Sequence, residues 1–295
     1  HTRLTFETLE RLERYRGHFY NWYNTRTLEP LPPRYVSSVD SGNLAACLVA
    51  LRAGLREARE RPVLPPQVWR GMRDTLAMLQ VEVRAAGGDL PPDFLARLRE
   101  TDLLLVGPPP DMRAARERLQ ALSAAAARFR EATEGRTTDE VAEWADLFER
   151  QCRDHAAAAE MLAAAGAGPE TTLAQLARDG GENGENAAEA RHQAAGLLRT
   201  LETLAERCHE LHMAMDFRFL YNAARDLLSI GFDVQNRRLD PSCYDLLASE
   251  ARIASFLAIA DEQAPPDHWF ALGRLLTGQG GSATLLSWSG SMFEY

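Results

Sequence analysis

Apolar residues recur along most of this chain at the spacing of one helix face. Phe6, Leu9 and Leu12 predict a helix from Leu4 to Arg16, closed by Gly17. Leu44, Cys47, Leu48, Leu51 and Leu55 predict a second, capped by Asp40 or Ser41. Val68, Met72, Leu76, Leu79 and Val83 follow from Pro66 and end at Gly87-Gly88, which gives a helical hairpin. Phe94, Leu95 and Leu98 mark a short helix, and Met112, Ala115, Leu119, Leu122 and Phe129 a longer one from Asp111. The run Val141, Trp144, Phe148 and Cys152 follows an expected capping box, Thr137-x-x-Glu140. A loop with one short helix near Leu173 fills 166–186, and a long helix covers 187–213.

The period breaks in three places. The stretch from His18 to Asp40 is rich in aromatics, prolines and asparagines, so it cannot be one helix. Long loops of this kind in compact domains are usually functional, which singles out Tyr20, Trp22, Tyr23 and Arg26. From Asp216 the period becomes 2: Phe217, Phe219 and Tyr221 alternate, 222–226 supply a turn, and Leu228, Ile230, Phe232 and Val234 alternate again, a β-hairpin between helices. Glycines and aromatics return between Pro265 and Tyr295.

Between these breaks lies Asp240 to Arg252. If a helix follows Pro241, then Leu246, Glu250, Ile253 and Leu257 fall at i, i+4, i+7 and i+11, and a carboxylate sits inside an apolar stripe. A core-facing acid has to be paired, hydrogen-bonded or neutral. Glu250 is thus either a structural glutamate held by an arginine such as Arg218 or Arg274, or a general acid. Asp240 and Asp245 have the simpler reading of a helix cap and a first-turn acid, and Tyr20 to Tyr23 that of an aromatic staple.

Composition narrows the class. With 295 residues, 45% hydrophobic and 25% charged, the chain can bury a substantial core. A net charge of -9 argues against nucleic acid as a partner. No apolar run approaches the ~20 residues needed to span a bilayer. The four cysteines show no paired spacing and read as reduced core thiols. Cys208-His-Glu-Leu-His212 spaces its histidines i, i+3, without the His-Glu-x-x-His pattern, and Gly278-Gln-Gly-Gly-Ser lacks the lysine of a phosphate loop. Neither supports a metal or nucleotide site. Aromatic loops beside acids and amides suit the flat apolar faces and hydroxyls of sugars.

The run from Gly17 to Leu44, containing Tyr20-Asn-Trp-Tyr23 and Val39-Asp-Ser-Gly-Asn-Leu44, resembles a hallmark of bacterial cyclic β-1,2-glucan synthases. So do Met215 to Tyr221, Ser229-Ile-Gly-Phe232, Leu239 to Arg252 and Leu285 to Tyr295. Between Leu55 and Met213 the likeness is only to a helical region of suitable length. The resemblance implies part of the middle, glucoamylase-like domain of such a synthase: an incomplete (α/α)6 barrel with a short β-hairpin insertion, truncated at the C-terminus and also the N-terminus of a larger multidomain protein. It implies retaining transglycosylation that cyclises linear β-1,2-glucan, with an endo-β-1,2-glucanase-type hydrolase as the nearest rival and a non-catalytic glucan-holding module as a rival of another class.

The same resemblance makes Glu250 the general acid/base and sets the nucleophile beyond Tyr295, so that this piece alone is expected to be inactive. It lays Tyr20, Trp22, Asp40, Asn43, Tyr244, Asp245, Trp288 and Ser289 along the glucan path. Asn24 stands where relatives often have aspartate, and Cys243 where they often have tyrosine. No cofactor or metal is implied for this domain, since UDP-glucose would serve a separate one. The implied partners are β-1,2-glucan and the other domains of the same protein, and the implied location is a soluble segment of an inner-membrane protein on the cytoplasmic side.

Overall fold

The computed structural model describes residues 2–86, 90–179, 184–279 and 282–295. The chain is mainly α, with ten α-helices among the described residues and strands of only two to four residues. It divides into two compact units, one made of His1–Arg56 with Glu202–Tyr295, the other of Glu57–Leu201.

The first unit opens with α1 (Thr2–Arg11), β1 (Arg14–Tyr15), β2 (His18–Phe19), β3 (Tyr35–Ser37) and α2 (Ser38–Glu57). Helix α1 stops short of the expected Arg16 because Arg14 and Tyr15 pair with Phe19 and His18. The two-residue turn between them, Arg16-Gly17, has positive φ at both positions (49° and 83°), the geometry that matches strand twist in tight hairpins. Helix α2 begins at Ser38, two residues before the expected cap. The Ser37 hydroxyl accepts the Asp40 amide at 3.2 Å, so Asp40 sits in the first turn, where its charge favours the helix dipole. Along α2, Leu48 is buried while Leu51 and Cys47 are exposed. Cys47 is therefore not the core thiol its spacing suggested, in contrast to Cys152, Cys208 and Cys243.

The second unit is helical: α3 (Gln67–Ala86), α4 (Phe94–Leu104), α5 (Met112–Thr133), α6 (Asp139–Ala164) and α7 (Leu173–Asp179). Its core is the predicted periodic set, with Met72, Leu76, Leu79, Leu98, Leu119, Leu122 and Phe148 fully buried. Asp111 caps α5 as expected, accepting the Ala114 amide at 2.8 Å. The capping box at Thr137 does not form. Its hydroxyl donates back to the Thr133 carbonyl at 3.1 Å, and α6 starts after Thr138 with no side-chain cap. Gly87 and Gly88 fall outside the described residues, as do Gly280 and Gly281.

The chain returns to the first unit along α8 (Glu185–Met213), then forms β4 (Tyr221–Asn222), β5 (Leu227–Leu228), β6 (Gly231–Asp233), β7 (Arg238–Leu239), α9 (Ala251–Ala260), α10 (Asp267–Ala271), β8 (Leu276–Gln279) and β9 (Ser282–Leu285). The alternation read from Phe217 is not a strand. Phe217–Leu220 is one 3-10 turn, capped by the Asp216 carboxylate on the Arg218 amide, and its buried residues are Phe217 and Leu220 at i, i+3. The hairpin itself is β4 with β5. Strand β6 pairs instead with β3 on one side and β7 on the other, both antiparallel, and Tyr35 lies opposite Asp233.

His18 shows why the aromatics alternate. It is fully buried, its ring edge-on to Phe217 and Phe219 at 4.8 and 5.3 Å, and neither ring nitrogen has a hydrogen-bond partner. Burial pushes its pKa down to about 4, with Asp216 nearby pulling weakly the other way. His212, the second histidine of the Cys208-His-Glu-Leu-His212 run, bonds Asp261 Oδ2 at 2.8 Å through Nε2.

Candidate functional site

The helix expected after Pro241 starts only at Ala251, with Glu250 at its N-cap in helical φ/ψ. The stripe through Leu246 and Ile253 therefore does not exist as read, and Ile253 is exposed while Leu257 is buried. Residues 240–249 are not helical because their backbone groups are bonded to other segments. The Asp240 amide donates to the Gly231 carbonyl (3.0 Å), the Tyr244 amide to Leu228 (3.0 Å) and the Leu247 amide to Gly273 (3.0 Å), while Ser242 accepts from Ile230 (3.0 Å) and Asp245 from Gly273 (2.7 Å). Ala248 also bridges to Ser287. Asp240 stabilises the turn after itself, its Oδ1 accepting the Ser242 amide at 3.0 Å. The fully buried Ser229 hydroxyl lies 2.6 Å from the Asp240 carbonyl and 3.2 Å from that of Ser242, clamping the loop from below.

This loop brings acids and a phenol together. Tyr244 is half-buried, and its phenol is pushed above its usual range by burial first, then by the charges of Asp40, Glu250 and Asp240. Those carboxylates come from the first turn of α2, the start of α9 and the loop itself. What lets α2 and α9 approach so closely is Gly42: a Cβ there would lie 2.6 Å from the Ala254 Cα, four residues after Glu250. Gly42→Ala is expected to destabilise the chain by about 1–3 kcal/mol through overpacking. Gly54→Ala, on the same helix with nothing within 4 Å of the new methyl, should be neutral or stabilising. Urea midpoints compare the two, and equal effects would refute the close-packing account.

Glu250 is half-buried. The arginines expected to hold it are engaged elsewhere: Arg274 donates to the carbonyls of Leu272 and Trp269 at 2.7 Å each, and Arg218 lies 3.6 Å from Asp216. Asn43 is half-buried one residue after Gly42, and Asp245 is half-buried with its carbonyl bonded to Gly273.

The two aromatic loops are built differently. Tyr20 is buried: its hydroxyl donates to Glu13 Oε1 (3.3 Å), its amide to the Tyr23 hydroxyl (2.9 Å), and Arg34, itself paired with Glu13, stacks over its ring. Tyr20 and Tyr23 thus brace the loop, while Trp22 is left 51% exposed. Asn24 Oδ1 accepts the amides of Arg26 and Thr27, bonds that an aspartate oxygen could accept equally. At the other end Trp288 is 64% exposed. Ser289, beside it, is also exposed, its amide and hydroxyl donating to the buried Glu294 (3.0 and 2.7 Å). Led by that hydroxyl, these donors hold the Glu294 carboxyl down at about 2. Arg252 reaches the carbonyl of Tyr295 at 3.1 Å, linking this turn to the helix that Glu250 opens.

Every residue expected on the glucan path lies in the first unit, from two segments remote in sequence. Sequence reasoning passed over Tyr35 and gave Asp240 only a capping role, yet the Tyr35 hydroxyl donates to Asp240 Oδ2 at 3.3 Å. No local pattern signals that pair, because it depends on the strand order.

No protein-family model matches the chain. Its sequence is nevertheless homologous to one segment of a cyclic β-(1,2)-glucan synthase. The relative is cyclic beta-(1,2)-glucan synthase NdvB of Rhizobium meliloti (strain 1021), 39% identical over 308 aligned residues that take in 99% of this chain and 10% of that protein. The chain thus spans about a tenth of the length of the curated relative it matches. No helix among the described residues is long and apolar enough to cross a membrane.

Proposed function

We propose that this chain is part of the carbohydrate-active middle domain of a cyclic β-1,2-glucan synthase, an (α/α)6 barrel that closes linear β-1,2-glucan into rings by retaining transglycosylation. The observation that carries the reading is the 39% identity, over 99% of the chain, with a segment of a protein named for that product. The site's chemistry supports it: two exposed indoles for sugar faces, and a half-buried glutamate beside a phenol and two further carboxylates.

In this reading Glu250, in its protonated form, gives its proton to the glycosidic oxygen as a nucleophilic carboxylate attacks the anomeric carbon. The bond to the leaving sugar breaks and a glycosyl-enzyme forms. The Glu250 carboxylate then takes the proton from a hydroxyl at the glucan's own far end, whose oxygen displaces the nucleophile and closes the ring. Two inversions give net retention, which requires the carboxyls to stand about 5 to 5.5 Å apart. The nucleophile belongs to the longer protein, beyond Tyr295, and so do the domain that uses UDP-glucose and the membrane anchorage. This segment is read as soluble and cytoplasmic. No cofactor enters the step.

Product analysis tests the reading. The full-length protein supplied with linear β-1,2-glucan is expected to yield cyclic products, and residues 1–295 alone none. Short linear products from the full-length protein would favour a hydrolase. Binding of β-1,2-glucan without any turnover there would leave a holding module.

A further inference from the structure

The phenol of Tyr35 reaches across a strand. β3, β6 and β7 lie side by side in that order, so β6 separates Tyr35 from Asp240, the residue that follows β7. The 3.3 Å hydrogen bond between them therefore passes over β6, and it does so at Gly231. A Cβ at that position would overlap Cε1 and the hydroxyl of Tyr35. Glycine leaves the ring room to lie on the strand, and any other residue would crowd both the ring and the Val36 carbonyl of β3. Burial, followed by the charges of Asp240 and the other groups nearby, Tyr244 and Asp233, pushes the Tyr35 phenol above its usual range, so it remains a donor.

Asp240 is the first residue of the loop that ends in Tyr244. Its carboxylate is divided between two tasks: Oδ1 holds the Ser242 amide and Oδ2 receives the phenol. Tyr244 in turn feels Asp240, Asp40 and Glu250 together. We propose that Tyr35 is a positioning residue of this site: its phenol fixes the Asp240 carboxylate, and through it the loop wall that presents Tyr244 beside Glu250. The proposal rests on the glucan-site reading above. It adds that the sugar meets acceptors and a phenol whose places are set from beneath by a residue that does not touch it.

The test uses titration with β-1,2-gluco-oligosaccharides, together with pH titration of 13C-labelled tyrosine by NMR, the Tyr244 signal being assigned by its loss in Tyr244→Phe. In Tyr35→Phe, glucan affinity is expected to fall roughly tenfold, the scale of one hydrogen bond to a charged group, and Tyr244 to titrate at lower pH. Asp233→Asn, opposite Tyr35 in the sheet, should leave affinity unchanged. In an Asp240→Ala background, Tyr35→Phe should add nothing.

Affinity and Tyr244 both as in the unchanged protein would overturn the proposal. So would lost affinity with an unmoved Tyr244, which would make Tyr35 a direct contact, a moved Tyr244 with full affinity, or additive losses in the double variant. If the unchanged protein binds no β-1,2-glucan, the glucan reading fails, and the Tyr244 curve alone decides whether Tyr35 holds the loop. Should Tyr35→Phe not fold, Asp240→Ala removes the same bond from the other side together with the Ser242 bond and the charge that Tyr244 feels. Both the loss of affinity and the fall of the Tyr244 titration are then expected to be larger, and either one unmoved would overturn the proposal.

Discussion

Glu250→Gln in the full-length protein is expected to lower glucan turnover roughly 10³-fold, the middle of the range for losing a general acid/base. Glutamine keeps the shape and hydrogen-bonding reach of the side chain but cannot give up a proton to the glycosidic oxygen. Glucan affinity should therefore stay close to that of the unchanged protein. The loss should shrink with an activated aryl glycoside, whose leaving group departs without protonation, because only the second, deprotonating role is then missing. Steady-state rates on both substrates, set beside binding titrations, separate the cases. Unchanged turnover with weakened binding would sink the catalytic assignment and favour the holding module. The structure makes this variant a clean probe: with Arg274 and Arg218 engaged elsewhere, removing the charge does not strand either expected partner.

Acid should destabilise the first unit well before most carboxylates titrate. His18 has a pKa of about 4 in the folded chain against 6.5 for a free histidine, so between those values the unfolded chain takes up a proton that the folded chain refuses. The contribution of neutral His18 is complete above pH 6.5, falls as pH drops toward 4 and is gone below it. In full it amounts to about 3 kcal/mol. Burial likewise lowers His268 in the same unit, which adds to the slope in the same direction. Urea midpoints at pH 7 and pH 5 are expected to differ, and His18→Leu should flatten that difference whatever it does to stability at pH 7. An equal slope in the variant would show that the buried imidazole is not its source.

Where side-chain period alone decides structure, the sequence was readable. The core of the second unit, from Met72 through Phe148, follows from the 3.6-residue spacing of its leucines and aromatics, and Asp111 declares its own cap. Elsewhere long-range backbone bonds overrode the local pattern. Leu246, Glu250 and Ile253 are spaced for a helix, but Tyr244, Asp245 and Leu247 spend their backbone groups on Leu228 and Gly273, which no local window can foresee. Of the alternating Phe217, Phe219 and Tyr221, the two phenylalanines sit on a 3-10 turn and box His18, while Tyr221 opens β4 and packs on His268. The candidate site was legible by motif and not by chemistry. Glu250, Asp40 and Tyr244 could be named, but their convergence depends on the Gly42–Ala254 crossing, and Tyr35 on a strand order that only the folded chain reveals.

The unit that holds the whole candidate site is discontinuous in sequence, and its central pairing joins residues 35–37 to 231–233. That separation shapes how the chain is made. The helical unit of Glu57–Leu201 is a single stretch, rich in local contacts, and can complete itself while the ribosome is still adding residues. The β3–β6 pairing has to wait until both of its halves have been synthesised, with loop closure across everything between them. Until then Tyr35, Gly42 and Asp40 belong to an unfinished half, and assembly of the acids and phenol is the late event of folding.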